Sequence, residues 1–401
     1  MSEIGKYEKE ACSDNSKHVK RLFYVDNLRF YLTVLVILHH LAVGYGGSGS
    51  MPIYEGQFNP IDGITTILLT IFTALNQSYF MSIFFLFAGY FTPRAYDKKG
   101  ALIFSKDRLI RLGIPLLIAV VFLTPLVTFI VLNFAYAVNI SFFKIIEDRI
   151  VNDTLLEGVG HLWFVQALLL FTVVYIFYRI ISDHYFTNQW KILYENAFPT
   201  NKVIFLSIGV LAIITFFVRT EFLIGEIFFN FQLAHFTHYI FCYFIGILAY
   251  RGRWFDNLSD SQAKLWISVA LITIALLPSL LLLADFTSID PFRLFMGGWT
   301  LQSFVYVVWE AVALLSISIS LLYIFQKKFN YQNLLLRELS ASSYTAYIIH
   351  MIIVVSLIIL FLPLTMPALV KFFIVSLIAV PLIFLLSVLI RKIPFTDRVL
   401  G

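Results

Sequence analysis

The sequence predicts an all-α polytopic integral membrane protein with about ten transmembrane helices. Of its 401 residues, 60% are hydrophobic and only 13% are charged, and the apolar residues fall in runs of about eighteen or more. A typical soluble domain carries about 25% charged residues, whereas a run of this length crosses the ~30 Å hydrocarbon core of a bilayer. The excess of apolar residues is therefore expected to contact lipid rather than to fill a large soluble core.

The polar breaks divide the chain into a polar tail (1–23), one membrane domain (24–392) and a short second tail (393–401). Helices are expected inside the domain, because lipid offers no partner to backbone N–H and C=O groups. Runs 203–218 and 235–250 are short, which predicts tilted, broken or partly buried helices. The ten predicted helices are 28–46, 64–92, 112–134, 161–181, 203–218, 235–250, 265–284, 300–325, 344–362 and 369–390.

The basic residues predict the orientation of this domain. With a cytoplasmic N-terminus, 23 of the 29 Lys and Arg residues fall in segments on the cytoplasmic side, as the positive-inside rule requires. The sequence thus predicts a multi-pass protein of the cell (plasma or inner) membrane with both termini in the cytoplasm. The polar first 20 residues predict no secretory signal. The net charge of +5 is expected to serve orientation rather than nucleic-acid binding. Cys12 and Cys242 predict neither a disulfide nor a metal site.

The first helix carries the most informative ionisable residues, since such residues within a membrane helix are costly and mark function by default. Arg29 and His40 are eleven residues apart, which places them on one helix face about 16 Å apart along the axis. His39 points away from this face. A structural role, with Arg29 reaching headgroups and His40 bonded to another helix, is the alternative interpretation.

Further ionisable residues lie near the ends of other helices. Arg108 and Arg111, one turn apart, either satisfy the positive-inside rule or hold the phosphates of a cytoplasmic donor. Glu310 is a mid-membrane carboxylate that should be paired, hydrogen-bonded or protonated. His235 and His238 have a spacing that would suit a metal, but no ligand beside them in sequence completes a site, so none is expected.

Two further segments carry candidate side chains, and the first of them lies at the predicted outer side of the membrane. His161 opens the fourth helix, where it faces either an outer cavity or the headgroups, and Trp163 is interpreted as an interfacial belt residue. Asn76 and Gln77 lie in the second helix, which ends in Ala88-Gly89 among aromatic residues. Small residues in that setting usually indicate close helix packing.

Together these motifs resemble the membrane acyltransferase three family. The resemblance rests on Arg29 and His40 with ten residues between them, FFLFAGYF (84–91), the Arg108/Arg111 pair, HLWF (161–164) and Ser-Tyr-x-x-Tyr-x-x-His (343–350), and it spans about residues 24–392. RLGIP (111–115) and the residues around Gly246 are similar to the glucan biosynthesis protein C subgroup, whose members modify periplasmic glucans with succinyl groups.

The resemblance implies an O-acyltransferase that moves an acetyl or succinyl group from cytoplasmic acyl-coenzyme A to a hydroxyl of a carbohydrate or glycan acceptor, without a metal. His40 would act as general base, with Arg29 and Glu310 as further catalytic residues and Glu310 or a helix dipole as the group that orients the imidazole. Direct attack of the acceptor is preferred over an acyl-histidine intermediate. The predicted donor-binding residues are Arg29, Arg108, Arg111, Tyr347 and His350, and the predicted acceptor-binding residues are Asn76, Gln77, His161 and Trp163.

A proton-coupled transporter or exporter is the alternative class, since ten helices with buried Arg, His and Glu would also suit transport. The sequence shows neither an inverted repeat nor paired Gly- or Pro-broken helices in corresponding positions, which favours the enzyme. Membrane lipid surrounds the chain in either case.

Overall fold

The computed structural model describes residues 21–152, 154, 158–185, 197–285, 287–288, 290, 292–394 and 396–400. The tail predicted for residues 1–23 therefore lies mostly outside the described residues. Within them the fold is helical, and the backbone pairing of Phe228 with Phe231 is an isolated bridge. The all-α class predicted from the sequence is confirmed.

The helices follow the predicted apolar runs closely. We number them α1 (Phe23–Gly44), α2 (Gly63–Arg108), α3 (109–135), α4 (Phe142–Val151), α5 (Trp163–Tyr185), α6 (Asn201–Glu221), α7 (Phe236–Arg251), α8 (Asp260–Leu276), α9 (Leu301–Lys328), α10 (Leu334–Ala341), α11 (Ser343–Phe361), α12 (Ala368–Arg391) and α13 (Thr396–Leu400). Short 3₁₀ turns precede α5 and α7, and another extends α8 to Leu283.

The second and third predicted spans form one continuous run, Gly63–Ala135, so nine helical stretches in the described residues are long and apolar enough to cross a membrane. This run has 73 residues and would be about 110 Å long as one helix, far more than one ~30 Å hydrocarbon core. Gly100 breaks it with φ 72°, a left-handed conformation that glycine adopts without strain. The run thus carries two of the ten predicted spans.

Local sequence explains where several helices begin. Asp62, Thr200, Ser259 and Thr300 each accept a hydrogen bond from the backbone N–H three residues later, which satisfies a donor that the first helical turn leaves free. The short predicted spans 203–218 and 235–250 are unbroken helices here. The side on which the termini lie stays a prediction.

Glycines let α2 and α7 pack backbone against backbone. A Cβ atom at Gly89 would clash with the backbone carbonyl of Tyr243, and one at Gly246 would clash with the carbonyl of Leu86. The close packing predicted for Ala88-Gly89 is confirmed. Next to this contact, Phe85 stacks on Tyr239 with ring centroids 4.8 Å apart, so the centre of the bundle is largely aromatic.

Candidate active site

Three histidines from separate parts of the chain meet inside the bundle. The rings of His40 on α1 and His350 on α11 have centroids 5.1 Å apart, and those of His161 and His350 are 4.6 Å apart. His161 lies in the 3₁₀ turn Gly160–Leu162 that leads into α5. We call His40, His161 and His350 the histidine cluster.

Backbone carbonyls of α11 orient two of these rings. His161 Nε2 is 2.9 Å from the Ile348 carbonyl, and His350 Nδ1 is 2.6 Å from the Tyr347 carbonyl. Because a carbonyl oxygen only accepts, each of these nitrogens carries the proton, which leaves the other nitrogen of a neutral ring as an acceptor. His350 Nε2 and His40 Nδ1 are buried without a hydrogen-bond partner. The cluster therefore holds unused acceptor or donor capacity inside the protein.

Tyr347 ties the cluster to the start of α5. Its hydroxyl donates a hydrogen bond to the His161 carbonyl, and its ring lies 5.8 Å from that of His350. The sequence assigned Tyr347 and His350 to the donor. The structure places His350 beside His40 and Tyr347 beside His350. Whether they touch the donor stays a prediction.

A large cavity reaches the histidine cluster. Its volume is about 1290 Å³, and its lining includes His40, His161 and Tyr347. Four loop regions form its walls and mouth, namely 48–52, 158–160, 224–232 and the pair 280–281 and 292–296. We call this side of the bundle the mouth end. The sequence predicts that these loops are extracytoplasmic. The cavity is larger than most small-molecule sites, which span about 300–1,000 Å³.

Aromatic and amide side chains form one wall of this cavity. Trp163 stacks on Tyr239 with ring centroids 5.3 Å apart, and the Gln77 amide donates to the Tyr239 hydroxyl at 3.2 Å. Gln77, Trp163, Gln166 and Tyr239 all line the cavity. Asn76 does not, since it is buried and accepts a hydrogen bond from Tyr79. Its predicted contact with an acceptor has no support in this arrangement.

His161 and Trp163 lie deeper than the sequence predicts. His161 bonds to Ile348, the sixth residue of α11, and Trp163 packs against Phe85 and Tyr239 in the centre of the bundle. Interpreting Trp163 as an interfacial belt residue was therefore wrong. The preceding glycines explain the difference, because Gly158 and Gly160 have φ of 67° and 58° and allow the chain to turn sharply inward.

Three arginines gather at the opposite end of α1 from the cavity mouth. Arg29 and Arg111 both lie within electrostatic range of Arg108, whose guanidinium also packs 5.1 Å from the centre of the Phe104 ring. None of the three forms an ion pair with a carboxylate of the described residues, although each is at least partly exposed. We call Arg29, Arg108 and Arg111 the arginine end. Asp26 and Asp107 lie within electrostatic range of this end, yet three guanidinium groups outnumber these two carboxylates. Such a cluster favours a polyanion such as a phosphate.

Glu310 has partners other than His40. Its carboxylate is 2.7 Å from Arg219 Nη2 and lies 3.6 Å and 3.8 Å from the Nδ1 atoms of His235 and His238. Both members of the ion pair are fully buried. In the part of the chain that the structure describes, this carboxylate is therefore engaged by Arg219 and not by the imidazole it was expected to orient.

Sequence reasoning missed several residues of this region. Arg219 was not singled out from the sequence, yet it is fully buried on α6. Tyr239 and Gln166 line the cavity without having been singled out. The one available signal was Glu310 itself, because a mid-membrane carboxylate needs a cation, and Arg219 is the basic residue at the matching end of a neighbouring helix.

Comparison with known proteins shows the class of the chain. The acyltransferase 3 family model, described as an acyltransferase domain, matches residues 22–392. The chain belongs to the acyltransferase 3 family and is thus a member of a class of membrane acyltransferases. The resemblance stated from the sequence motifs is confirmed.

Several curated relatives share one name. The glucans biosynthesis protein C of Escherichia coli O6:K15:H31 (strain 536 / UPEC) is 28% identical over 249 residues, which cover 59% of this chain and 60% of the relative. The proteins of that name from Escherichia coli strain K12 and Shigella dysenteriae serotype 1 match with the same identity and coverage. The chain thus matches about three fifths of the length of these relatives. No solved structure matches it.

Proposed function

We propose that this protein is an O-acyltransferase of the cell membrane that moves an acetyl or succinyl group from acyl-coenzyme A to a hydroxyl of a carbohydrate acceptor. The observation that carries the proposal is the position of His40. Its imidazole lines the cavity. The three arginines lie toward the other end of α1, with Arg29 on that helix and Arg108 and Arg111 at the junction of α2 and α3. The names of the glucans biosynthesis relatives support a glucan as the acceptor.

In the proposed reaction, one ring nitrogen of His40 accepts the proton of the acceptor hydroxyl. The hydroxyl oxygen attacks the thioester carbonyl carbon, a C–O bond forms, and the C–S bond then breaks. The proton on the imidazole passes to the departing thiolate, so the products are an ester and free coenzyme A. The step therefore needs no further co-reactant. Transfer through an acyl-histidine is a second route to the same products.

The arginine end suits the donor because coenzyme A carries several phosphate groups. Guanidinium groups bind phosphate oxygens with paired hydrogen bonds. Arg29 is about 16 Å from His40 along the helix axis, so a donor held at the arginines would need its extended pantetheine arm to bring the thioester to the imidazole. The acceptor would enter from the mouth end and meet the thioester at the histidine cluster.

The decisive experiment measures acyl transfer in proteoliposomes containing the purified protein. Acetyl-coenzyme A and succinyl-coenzyme A are offered with a linear glucose hexamer, and we expect free thiol to appear together with an acylated hexamer in the mass spectrum. His40→Gln should lower kcat about 100- to 10,000-fold, the usual contribution of a general base. His39→Gln, which alters the adjacent residue, should retain most activity.

Two outcomes would contradict the proposal. Wild-type turnover by a normally folded His40→Gln protein would exclude His40 as the general base. Movement of a radiolabelled substrate across the membrane without release of thiol would support the transporter instead, for which the buried Arg219, Glu310 and His235 are the motivating observation.

A further inference from the structure

The loop between α6 and α7 contains a strained hairpin at the cavity mouth. Phe228 and Phe231 exchange backbone hydrogen bonds of 2.8 Å and 2.9 Å, so Phe229 and Asn230 form a two-residue turn. Both have positive φ, 48° and 71°. Two-residue hairpins with this geometry strongly prefer Asn-Gly or Asp-Gly. A bulky residue such as Phe229 in the left-handed region is an outlier.

Strain of this kind persists only where the surroundings hold it in place. Here the Asn230 side-chain oxygen accepts hydrogen bonds from the backbone N–H groups of Gly158 at 2.6 Å and Val159 at 3.3 Å. These residues lie three and two positions before His161 of the histidine cluster. The hairpin is thus fixed to the segment that positions one of the three imidazoles.

The strained turn presents two aromatic rings at the mouth. Phe228 and Phe229 both line the cavity, although their side chains are 55% and 77% exposed. Their ring centroids are 4.8 Å apart with the ring planes perpendicular. A ring edge therefore faces a ring face, and much of the surface of both rings stays uncovered at the mouth.

Polar groups lie on the inner side of these rings. Gln77, Gln166 and Gln232 line the same cavity, and Gln166 Oε1 is buried without a hydrogen-bond partner. A sugar ring has an apolar face of C–H groups and a rim of hydroxyls. The C–H face suits the negative face of an aromatic ring, while amide groups can both donate to and accept from hydroxyls.

Resting on the proposed function, we infer that the Phe228–Phe231 hairpin is the acceptor-selecting element of this enzyme. A sugar ring of the acceptor stacks on Phe229 at the mouth, and its hydroxyls then reach the amides of the cavity. Phe229 acts on the acceptor alone, because the donor is held at the arginine end. The hairpin therefore selects cyclic carbohydrates over open-chain alcohols.

The test compares two acceptors in proteoliposomes, the linear glucose hexamer and glycerol, which has hydroxyls but no ring. For Phe229→Ala we expect the KM of the hexamer to rise about tenfold, the change that accompanies loss of one stacked aromatic contact. The KM of the acyl-coenzyme A donor and the rate of transfer to glycerol should stay within about twofold. Phe229→Trp should keep the low KM of the hexamer.

Phe229→Gly separates selection from folding. Glycine accepts positive φ without strain, so this variant should melt at or above the wild-type temperature while it shows the same raised KM for the hexamer. Phe222→Ala is the matched control, because Phe222 is an exposed aromatic residue of the same loop, 39% exposed, that does not line the cavity. It should leave both KM values unchanged.

Three results would overturn the inference. An unchanged KM of the hexamer in Phe229→Ala would show that no sugar ring stacks on Phe229. Recovery by Phe229→Leu of the wild-type KM would point to a lipid-facing anchor, which needs an apolar side chain but no ring. A wild-type protein that releases no thiol with either acceptor would instead refute the proposed function itself, so the two failures are distinguishable.

Discussion

The two ends of the bundle differ in whether their basic side chains form ion pairs. At the mouth end, Arg219 is paired with Glu310 at 2.7 Å and Lys371 is paired with Glu55 at 2.5 Å, and all four side chains are buried. At the other end, Arg29, Arg108 and Arg111 lie close together without a carboxylate partner among the described residues. Cations are thus buried in ion pairs at the mouth end, whereas the three arginines at the other end are at least partly exposed and form no ion pair with the described residues.

This difference separates charges that hold the fold from charges that are available to a ligand. A buried charge without a partner costs several kcal/mol, so the paired residues must be retained together. The helices near the arginine end are joined by the close contact of Gly89 with Tyr243 and of Gly246 with Leu86 instead. Since this contact uses no charge, the arginines need not serve the packing of the helices.

The largest effect should come from breaking a buried ion pair. Lys371→Met leaves Glu55 buried and unpaired, and Glu310→Leu does the same to Arg219. Each single change should lower the free energy of unfolding by about 3–5 kcal/mol, measured as a fall in melting temperature in detergent. Lys371→Met combined with Glu55→Leu should recover most of the loss. If a single variant melts like the wild type, the buried ion pairs at the mouth end do not hold the fold.

A somewhat smaller loss is expected at the uncharged contact between α2 and α7. Gly89→Ala places a methyl group against the Tyr243 carbonyl, and overpacking of this kind costs about 1–3 kcal/mol. Gly113→Ala is the matched control, since a Cβ there meets nothing within 4 Å, and it should be neutral or slightly stabilising. Equal melting temperatures for the two variants would show that the close contact does not hold the helices.

Substitution of arginines at the arginine end should weaken binding of the donor without changing the stability of the protein. Arg108→Gln and Arg111→Gln each remove charge-assisted hydrogen bonds to phosphate, which should raise the KM of the acyl-coenzyme A donor about 10- to 100-fold. The melting temperature should stay within experimental error. Arg293→Gln, which removes an exposed cation at the mouth end, should leave the donor KM unchanged. A loss of stability without a change in donor KM would make these arginines structural.

The smallest expected effect is the dependence on salt. Exposed charges are screened over about 10 Å at 0.1 M ionic strength and over about 3 Å at 1 M. Between these salt concentrations, the donor KM should rise a few fold, and the acceptor KM with a neutral glucose hexamer should hardly change. Parallel changes in both constants would indicate that charge at the arginine end does not act on the donor specifically.

The sequence was sufficient for the helices because the bilayer imposes a minimum apolar length on every span. It also placed Arg29 and His40 on one face of α1, since both residues belong to the same helix. It did not predict that His350 and His161 would meet His40. These contacts join α11 and the start of α5 to α1, and the distance between residues on different helices depends on packing that no local pattern encodes.

The burial of two cations also could not be predicted from local sequence. Arg219 and Lys371 are each near the end of a helix, where a cation usually reaches water or headgroups. Their burial follows from Glu310 and Glu55, which are distant in sequence. A charge count by loop predicts an orientation, but it cannot tell a solvated cation from one that is paired inside the bundle.

The third span is wound differently from its neighbours. Leu109–Gly113, Ala119–Leu123 and Val131–Ala135 are π-helical turns, each of which accommodates one residue more than an α-helical turn. Deleting one residue from such a turn returns it to α geometry and leaves the rest of the span in register. In a regular helix such as α9, the same deletion rotates every following side chain by about 100°. We therefore expect α3 to tolerate single-residue deletions that would inactivate the other spans.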